Sequence, residues 1–228
     1  ARVPYGNKSK VRIQEFSNEI TQWLVNQNSK MIVVACNTAS SLALDHIKLK
    51  FNLPIIGVIE PGVHSAIAVT KNNRIGVLGT QATIRSDAYG SELQSINGEI
   101  DVVSQACPLF VPLAEEGWVS GDVPTSVART YLEPILMSNV DTVILGCTHY
   151  PLLKPILSHV LGSEVCLVDS GEATATAVDS VLDEHYLGAE EKAGEIQCFV
   201  TDSPDSFEAL AGRFVKANIS AITHIDIS

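Results

Sequence analysis

The sequence contains no Cys-x-x-Cys pair, no Gly-x-Ser-x-Gly elbow and no Gly-x-x-x-x-Gly-Lys-Ser/Thr loop. Those absences argue against a structural zinc set, an esterase-type serine nucleophile and a nucleoside triphosphate site. Basic residues are also scarce, with 15 Lys and Arg against 26 Asp and Glu and a formal charge of −11. Nonspecific nucleic-acid binding and attraction to anionic lipid both need clustered cations, so neither partner is expected. An anionic small molecule stays open, because backbone amides and hydroxyls can hold one locally. Apolar runs stop at Gly, Pro or charge well short of the ~18 residues a membrane helix needs. No charged start followed by an apolar stretch opens the chain, so a cytoplasmic location is expected. The first residue is Ala1 and not Met, so further residues are expected upstream. The cysteines, five in all, are widely spaced and odd in number, which fits free thiols in a reducing compartment.

What is present supports a packed core. Hydrophobic residues make up 46% and charged residues 18% of 228, too apolar for disorder and long enough for one large domain or two small ones. Strand and helix patterns alternate. Short β-branched runs predict strands over 31–35, 54–59, 74–78, 100–104, 142–145, 165–168, 196–200 and 223–227, the first read as buried on both faces. Helical spacing predicts 11–26, 38–50, 86–96, 125–137, 152–160, 172–186 and 205–217. Such alternation implies an α/β fold of mostly parallel sheets flanked by helices, with ligands bound at the carboxyl ends of the strands.

Two of the cysteines stand at that edge. Val33-Val34-Ala35-Cys36-Asn37-Thr38 and Ile144-Leu145-Gly146-Cys147-Thr148-His149 are each an apolar run ending in a thiol, followed by hydrogen-bonding residues. A thiol at a strand-to-helix turn meets helix N–H groups that favour the thiolate. Paired thiols in two such turns suggest acid/base groups facing one substrate from opposite sides, with the two sheets meeting across a cleft. Asn37, Thr38 and Thr148 suit both helix capping and carboxylate binding. His149, two residues after a thiol, could relay its proton. Cys107, Cys166 and Cys198 read as structural thiols, and His46, His64, His159, His185 and His224 as surface or packing residues. Cys147 and His149 supply just two metal ligands, so no metal site is expected.

Five segments in order carry a resemblance: Ala1-Arg2-Val3-Pro4-Tyr5-Gly6, Ala35-Cys36-Asn37-Thr38-Ala39, Gly57-Val58-Ile59-Glu60-Pro61-Gly62, Cys107-Pro108-Leu109-Phe110-Val111-Pro112 and Gly146-Cys147-Thr148-His149-Tyr150-Pro151. Together they resemble glutamate racemase, of the aspartate/glutamate racemase superfamily, as far as about Glu172. The resemblance implies two pseudo-symmetric α/β domains with the active site in the cleft between them. Residues 1–61 with 172–228 would form the first and 62–171 the second. It implies interconversion of L- and D-glutamate without a cofactor, supplying D-glutamate for peptidoglycan, by a protein that is commonly a homodimer. Cys36 would deprotonate D-glutamate and Cys147 L-glutamate. Tyr5, Gly6, Asn37, Thr38, Thr148 and His149 would hold the substrate, and Glu115, favoured over Glu116, would join His149 as a catalytic group.

In one respect the sequence departs from the family. An opening strand ending in Asp-Ser-Gly, and an Asp just before the segment matching Ala1, have no counterpart here. A destabilised first domain missing a central strand, and severe loss of activity, are the expected consequences for a protein that lacks them. The competing expectations are racemisation of aspartate or another acidic amino acid, and a non-enzymatic module that binds acidic ligands.

Overall fold

The computed structural model describes residues 3–188, 194–214 and 219–227. Ala1, Arg2 and positions 215–217 of the last expected helix lie outside the described residues. Ser9 opens the first helix, its Oγ accepting the Arg12 N–H at 3.4 Å. That helix, α1 (Lys10–Asn26), is followed by β1 (Ile32–Val34), α2 (Asn37–Lys48), β2 (Ile55–Gly57) and α3 (Ile59–Val69). Next come β3 (Arg74–Gly79), α4 (Gln81–Ser86), α5 (Ala88–Ile96), β4 (Asp101–Ala106), α6 (Phe110–Glu115) and α7 (Asp122–Met137). The remainder is β5 (Thr142–Gly146), α8 (Lys154–Leu161), β6 (Cys166–Asp169), α9 (Ser170–Glu184), β7 (Ile196–Val200), α10 (Pro204–Phe214) and β8 (Ile219–His224).

Every strand pair is parallel. The central sheet runs β4-β3-β5-β6, while β1-β2 and β7-β8 form two separate two-stranded sheets among the described residues. Alternate residues of the central strands feed two cores, as a sheet covered on both faces requires. Ile75, Val77 and Ile144 face one cluster with Val63, Tyr89 and Leu93. Leu78, Val143 and Leu145 face the other with Leu132, Ile135 and Leu157. The chain passes from β3 outward to β4 and then returns to β5 on the other side of β3. That reversal makes a switch-point crevice at the carboxyl ends of β3 and β5, where α/β sheets bind ligands.

Several expectations need correction. β1 is not buried on both faces: Ile32 and Val34 pack under α1 and α2, but Val33, on the opposite face, is 38% exposed. Cys166 is exposed, because it begins β6, which is an edge strand of the central sheet. The helix expected over 86–96 is α5, which starts at Ala88; Ser86 instead ends the unexpected helix α4, and Asp87, with a left-handed φ of 52°, divides the two. A further helix, α3, starts where the second strand was expected to end. The last strand lies earlier than expected, because its partner β7 ends at Val200 and offers no ladder beyond it.

Candidate active site

Cys36 follows β1 and occupies the N-cap position of α2, with extended backbone at φ −92° and ψ 120°. The N–H groups of Thr38 and Ala39 and the hydroxyl of Thr38 are directed at its sulfur. These donors favour a thiolate, but the enclosed thiol is pushed up from its ordinary value by burial, which outweighs them. Ser40, one turn on, fixes this corner by donating to the Val34 carbonyl at 2.8 Å and accepting the Val58 N–H at 3.3 Å.

Cys147 follows β5. Gly146 before it has to be glycine, since a Cβ there would lie 2.7 Å from the Leu78 carbonyl oxygen. The expected helix start is a 3₁₀ turn (Tyr150–Leu153), with α8 beginning only at Lys154. Pro151 and Pro155 supply no N–H in this stretch, so the thiol faces a single donor, the His149 amide, instead of a helix terminus. Burial pushes Cys147 up to about 12, and the charges of Cys36 and Glu115 add to the shift. That mutual repulsion opposes two thiolates at once and favours one thiolate beside one thiol.

Nε2 of His149 lies 3.2 Å from Oε1 of Glu115, close enough for an ion pair but off the line of a hydrogen bond. Burial holds His149 below its ordinary value, against the opposing pull of the Glu115 carboxylate. Burial thus favours the neutral imidazole, which is able to take up a proton. Glu116 makes no such contact.

Four further residues tie the two turns together, and sequence reasoning did not find them. Thr38 Oγ1 lies 2.9 Å from Thr80 Oγ1 and 3.2 Å from Thr83 Oγ1, a buried triangle of hydroxyls that joins α2 to α4. The turn holding Tyr5 and Gly6 packs on the same triangle, where a Cβ on Gly6 would meet Thr80 Cβ at 2.8 Å. Asn37 Nδ2 donates to the Tyr89 hydroxyl at 2.7 Å, which lies 3.3 Å from Ser170 Oγ, which in turn donates to the Leu145 carbonyl at 3.4 Å. This chain of bonds runs from the residue after Cys36 to β5, the strand that ends just before Cys147. Thr80 had a readable sign, since it follows a parallel strand as both cysteines do. Tyr89 had none, because within α5 it is one more apolar position. Thr148 is exposed beside Cys147.

Among the described residues no cluster of three or more His, Cys, Asp or Glu side chains is placed to hold a metal. Two open concavities elsewhere, one lined by Thr201, Asp202 and His224 and one by Lys48, Ile55 and His185, contain neither cysteine. Cys36 and Cys147, by contrast, are near enough for the charge of one to act on the other.

Residues 1–178 match the family described as Asp/Glu/Hydantoin racemase. The chain is 46% identical over 228 residues to glutamate racemase of Geobacter metallireducens, spanning all of this chain and 84% of that one. It is 42% identical to glutamate racemase of Listeria monocytogenes serotype 4b, spanning 86% of that protein. Among solved structures it is similar to glutamate racemase isoform RacE1 of Bacillus anthracis, with a TM-score of 0.95 at 35% identity over 99% of this chain and 85% of that one. Glutamate racemase of Francisella tularensis in complex with D-glutamate superimposes with a TM-score of 0.93, also at 35% identity, over 99% and 84% of the two chains.

Proposed function

Because this chain belongs to the Asp/Glu/Hydantoin racemase family, we propose that it interconverts L- and D-glutamate, with Cys36 and Cys147 as its two proton-transfer groups. The observation that carries the reading is the pair of thiols, each following a parallel strand and each with backbone N–H donation aimed at sulfur, with the charge of Cys36 adding to the upward shift of Cys147. Identity of 46% and 42% to glutamate racemases selects glutamate over other acidic amino acids.

The reaction removes a very weakly acidic proton from the α-carbon. A thiolate held in a dry site is a stronger base than one in water, which narrows the gap to that carbon acid. In the D-to-L direction Cys36 Sγ⁻ takes the α-proton, breaking C–H and forming S–H. The planar carbanion then accepts the proton of the Cys147 thiol on its other face, leaving Cys147 as thiolate. The reverse direction exchanges the two roles. His149, neutral and next to Glu115, resets the protonation of Cys147 between turnovers. Asn37, Thr38, Thr148, the Tyr5–Gly6 turn and the His149 amide hold the substrate carboxylates and ammonium, and no step calls on a cofactor.

The domain division follows the same reading. That residues 62–171 contain the whole four-stranded sheet, and 1–61 with 172–228 the two-stranded ones, supports a division into two units with the two cysteines on different units. We extend the reading to a cytoplasmic homodimer that supplies D-glutamate for peptidoglycan. Its support is the family relation, together with the absence among described residues of any helix long and apolar enough to cross a membrane.

The test is circular dichroism of L-glutamate incubated with the intact protein. Loss of optical activity at a rate proportional to enzyme is expected, with deuterium from D₂O entering product before it enters remaining substrate. Cys36→Ala and Cys147→Ala should each abolish racemisation in both directions. Near-normal turnover by either variant would refute the assignment.

A further inference from the structure

The end of α10 reaches the Cys147 side of the crevice. Arg213 Nη1 donates to the carbonyl oxygens of Ala114 and Glu115, the last two residues of α6, the first at 3.1 Å. The Ala114 carbonyl also accepts the Gly117 N–H at 3.1 Å, and the helix end carries partial negative charge, which favours a guanidinium there. Gly117, at φ 76°, lets the guanidinium lie over the chain just beyond α6, since a Cβ there would meet Arg213 Nη1 at 3.0 Å. Phe214, the next residue, sets its ring edge-on to His149 with centroids 5.7 Å apart. Two consecutive residues of one helix therefore touch both members of the Glu115–His149 pair. α10 connects β7 to β8, whereas Glu115 ends α6 and His149 follows β5, both in connections of the four-stranded sheet, so the contact joins two separately built units.

We propose that Arg213 and Phe214 are positioning residues for the Cys147 half of the site, fixing Glu115 through its backbone and His149 through its ring. The proposal rests on the racemase reading above. Its distinguishing consequence is one-sidedness. Cys36 is held by the amides of α2 and by the threonine triangle, neither of which touches α10. Loosening α10 should slow proton transfer at Cys147 and leave the transfer at Cys36 unchanged.

Rates alone cannot show this, because enantiomers are equal in energy and kcat/KM must match in the two directions. Isotope effects can show it, and they do not depend on how much of a variant is folded. The experiment uses the intact protein with Arg213→Ala, Arg213→Lys and Phe214→Leu, each assayed with α-deuterated L- and D-glutamate. Displacing a catalytic pair by a fraction of an ångström should lower kcat/KM about tenfold or more in Arg213→Ala. The isotope effect should rise with L-glutamate, whose deuteron Cys147 removes, and fall with D-glutamate, whose deuteron Cys36 removes. Phe214→Leu should shift both effects the same way, and Arg213→Lys, which keeps a cationic donor, should restore most of the rate. A lowered rate with both isotope effects unchanged would overturn the proposal in favour of a purely structural role. An unchanged rate, or a shift in the opposite sense, would overturn it as well. If the unsubstituted protein does not racemise glutamate, the racemase reading fails, and that outcome is separate from any difference among the variants.

Discussion

Replacing Tyr89 by Phe removes one oxygen from the centre of the hydrogen-bond chain that joins the two cysteine turns. The ring stays, so its packing with Val63, Leu93 and Ile144 is retained and no cavity forms. Ser170 keeps its bond to Leu145 and tolerates the change. Asn37 does not: its Nδ2 loses the 2.7 Å partner while the residue remains only 3% exposed. A buried donor left without an acceptor costs about 1–3 kcal/mol. Taking ~2 kcal/mol, the midpoint of thermal unfolding should fall by about 4–8 °C for a chain of this size. Asn37 would also turn to seek another acceptor, and because it neighbours Cys36, kcat/KM should drop by roughly tenfold. Calorimetry and the circular-dichroism racemisation assay measure the two effects. A double-mutant cycle with Asn37→Ala isolates the pair, with an expected coupling of about 1 kcal/mol or more in stability. A Tyr89→Phe protein with an unshifted midpoint and strictly additive energies in the cycle would show that the 2.7 Å contact contributes nothing.

Other perturbations test other parts of the framework. Gly146→Ala places a methyl 2.7 Å from the Leu78 carbonyl oxygen, which is backbone and cannot swing away. Separation of β3 from β5 next to Cys147 should cost about 1–3 kcal/mol, read from urea unfolding, and should lower kcat more than it raises KM. Asp141 accepts from Thr70 Oγ1 at 2.7 Å, Thr142 Oγ1 at 2.8 Å, and the N–H groups of Lys71 and Asn72 at 2.6 and 2.8 Å. Burial pushes its carboxyl up, but these bonds outweigh burial and hold it below its ordinary 3.8. A depressed folded-state pKa means that the stabilisation is complete above 3.8 and is lost as pH falls through the lower folded value. Asp141→Asn should therefore be less stable than the parent at pH 7, by about 1–2 kcal/mol after allowance for solvent screening. The difference should shrink in acid unfolding titrations carried below that pKa, and a constant difference across the titration would contradict the linkage.

Much of the candidate site was legible in the order of residues because its parts are local. A β-branched run followed by a thiol and a capping residue describes a strand, its carboxyl end and the first turn of a helix, all within about six positions. Cys36, Asn37 and Thr38 could be read that way, and so could Cys147 with His149. The 3₁₀ turn after Cys147 was missed because proline fits the start of either helix type. The split at Asp87 was missed because a non-glycine residue with positive φ leaves no compositional trace. Val33 was taken for a core residue because its β-branched side chain is equally at home on a half-covered strand, and what covers a strand is not encoded in the strand. Cys166 was misplaced for a related reason: an edge strand and a central one share the same apolar run.

By itself the sequence determined the alternation of elements and the two residues proposed to exchange a proton, since both follow from chemistry carried within short segments. Tertiary structure alone decided the electrostatics and the company those residues keep. Alone, a thiol at a helix start is expected to have a lowered pKa; enclosed with a second thiol and a carboxylate, Cys147 is raised to about 12. Thr80, Thr83, Tyr89, Ser170 and Arg213 come from four different helices or their caps and reach the site through space. Their contribution depends on distance and burial, which exist only once parallel strands from distant parts of the chain are brought side by side.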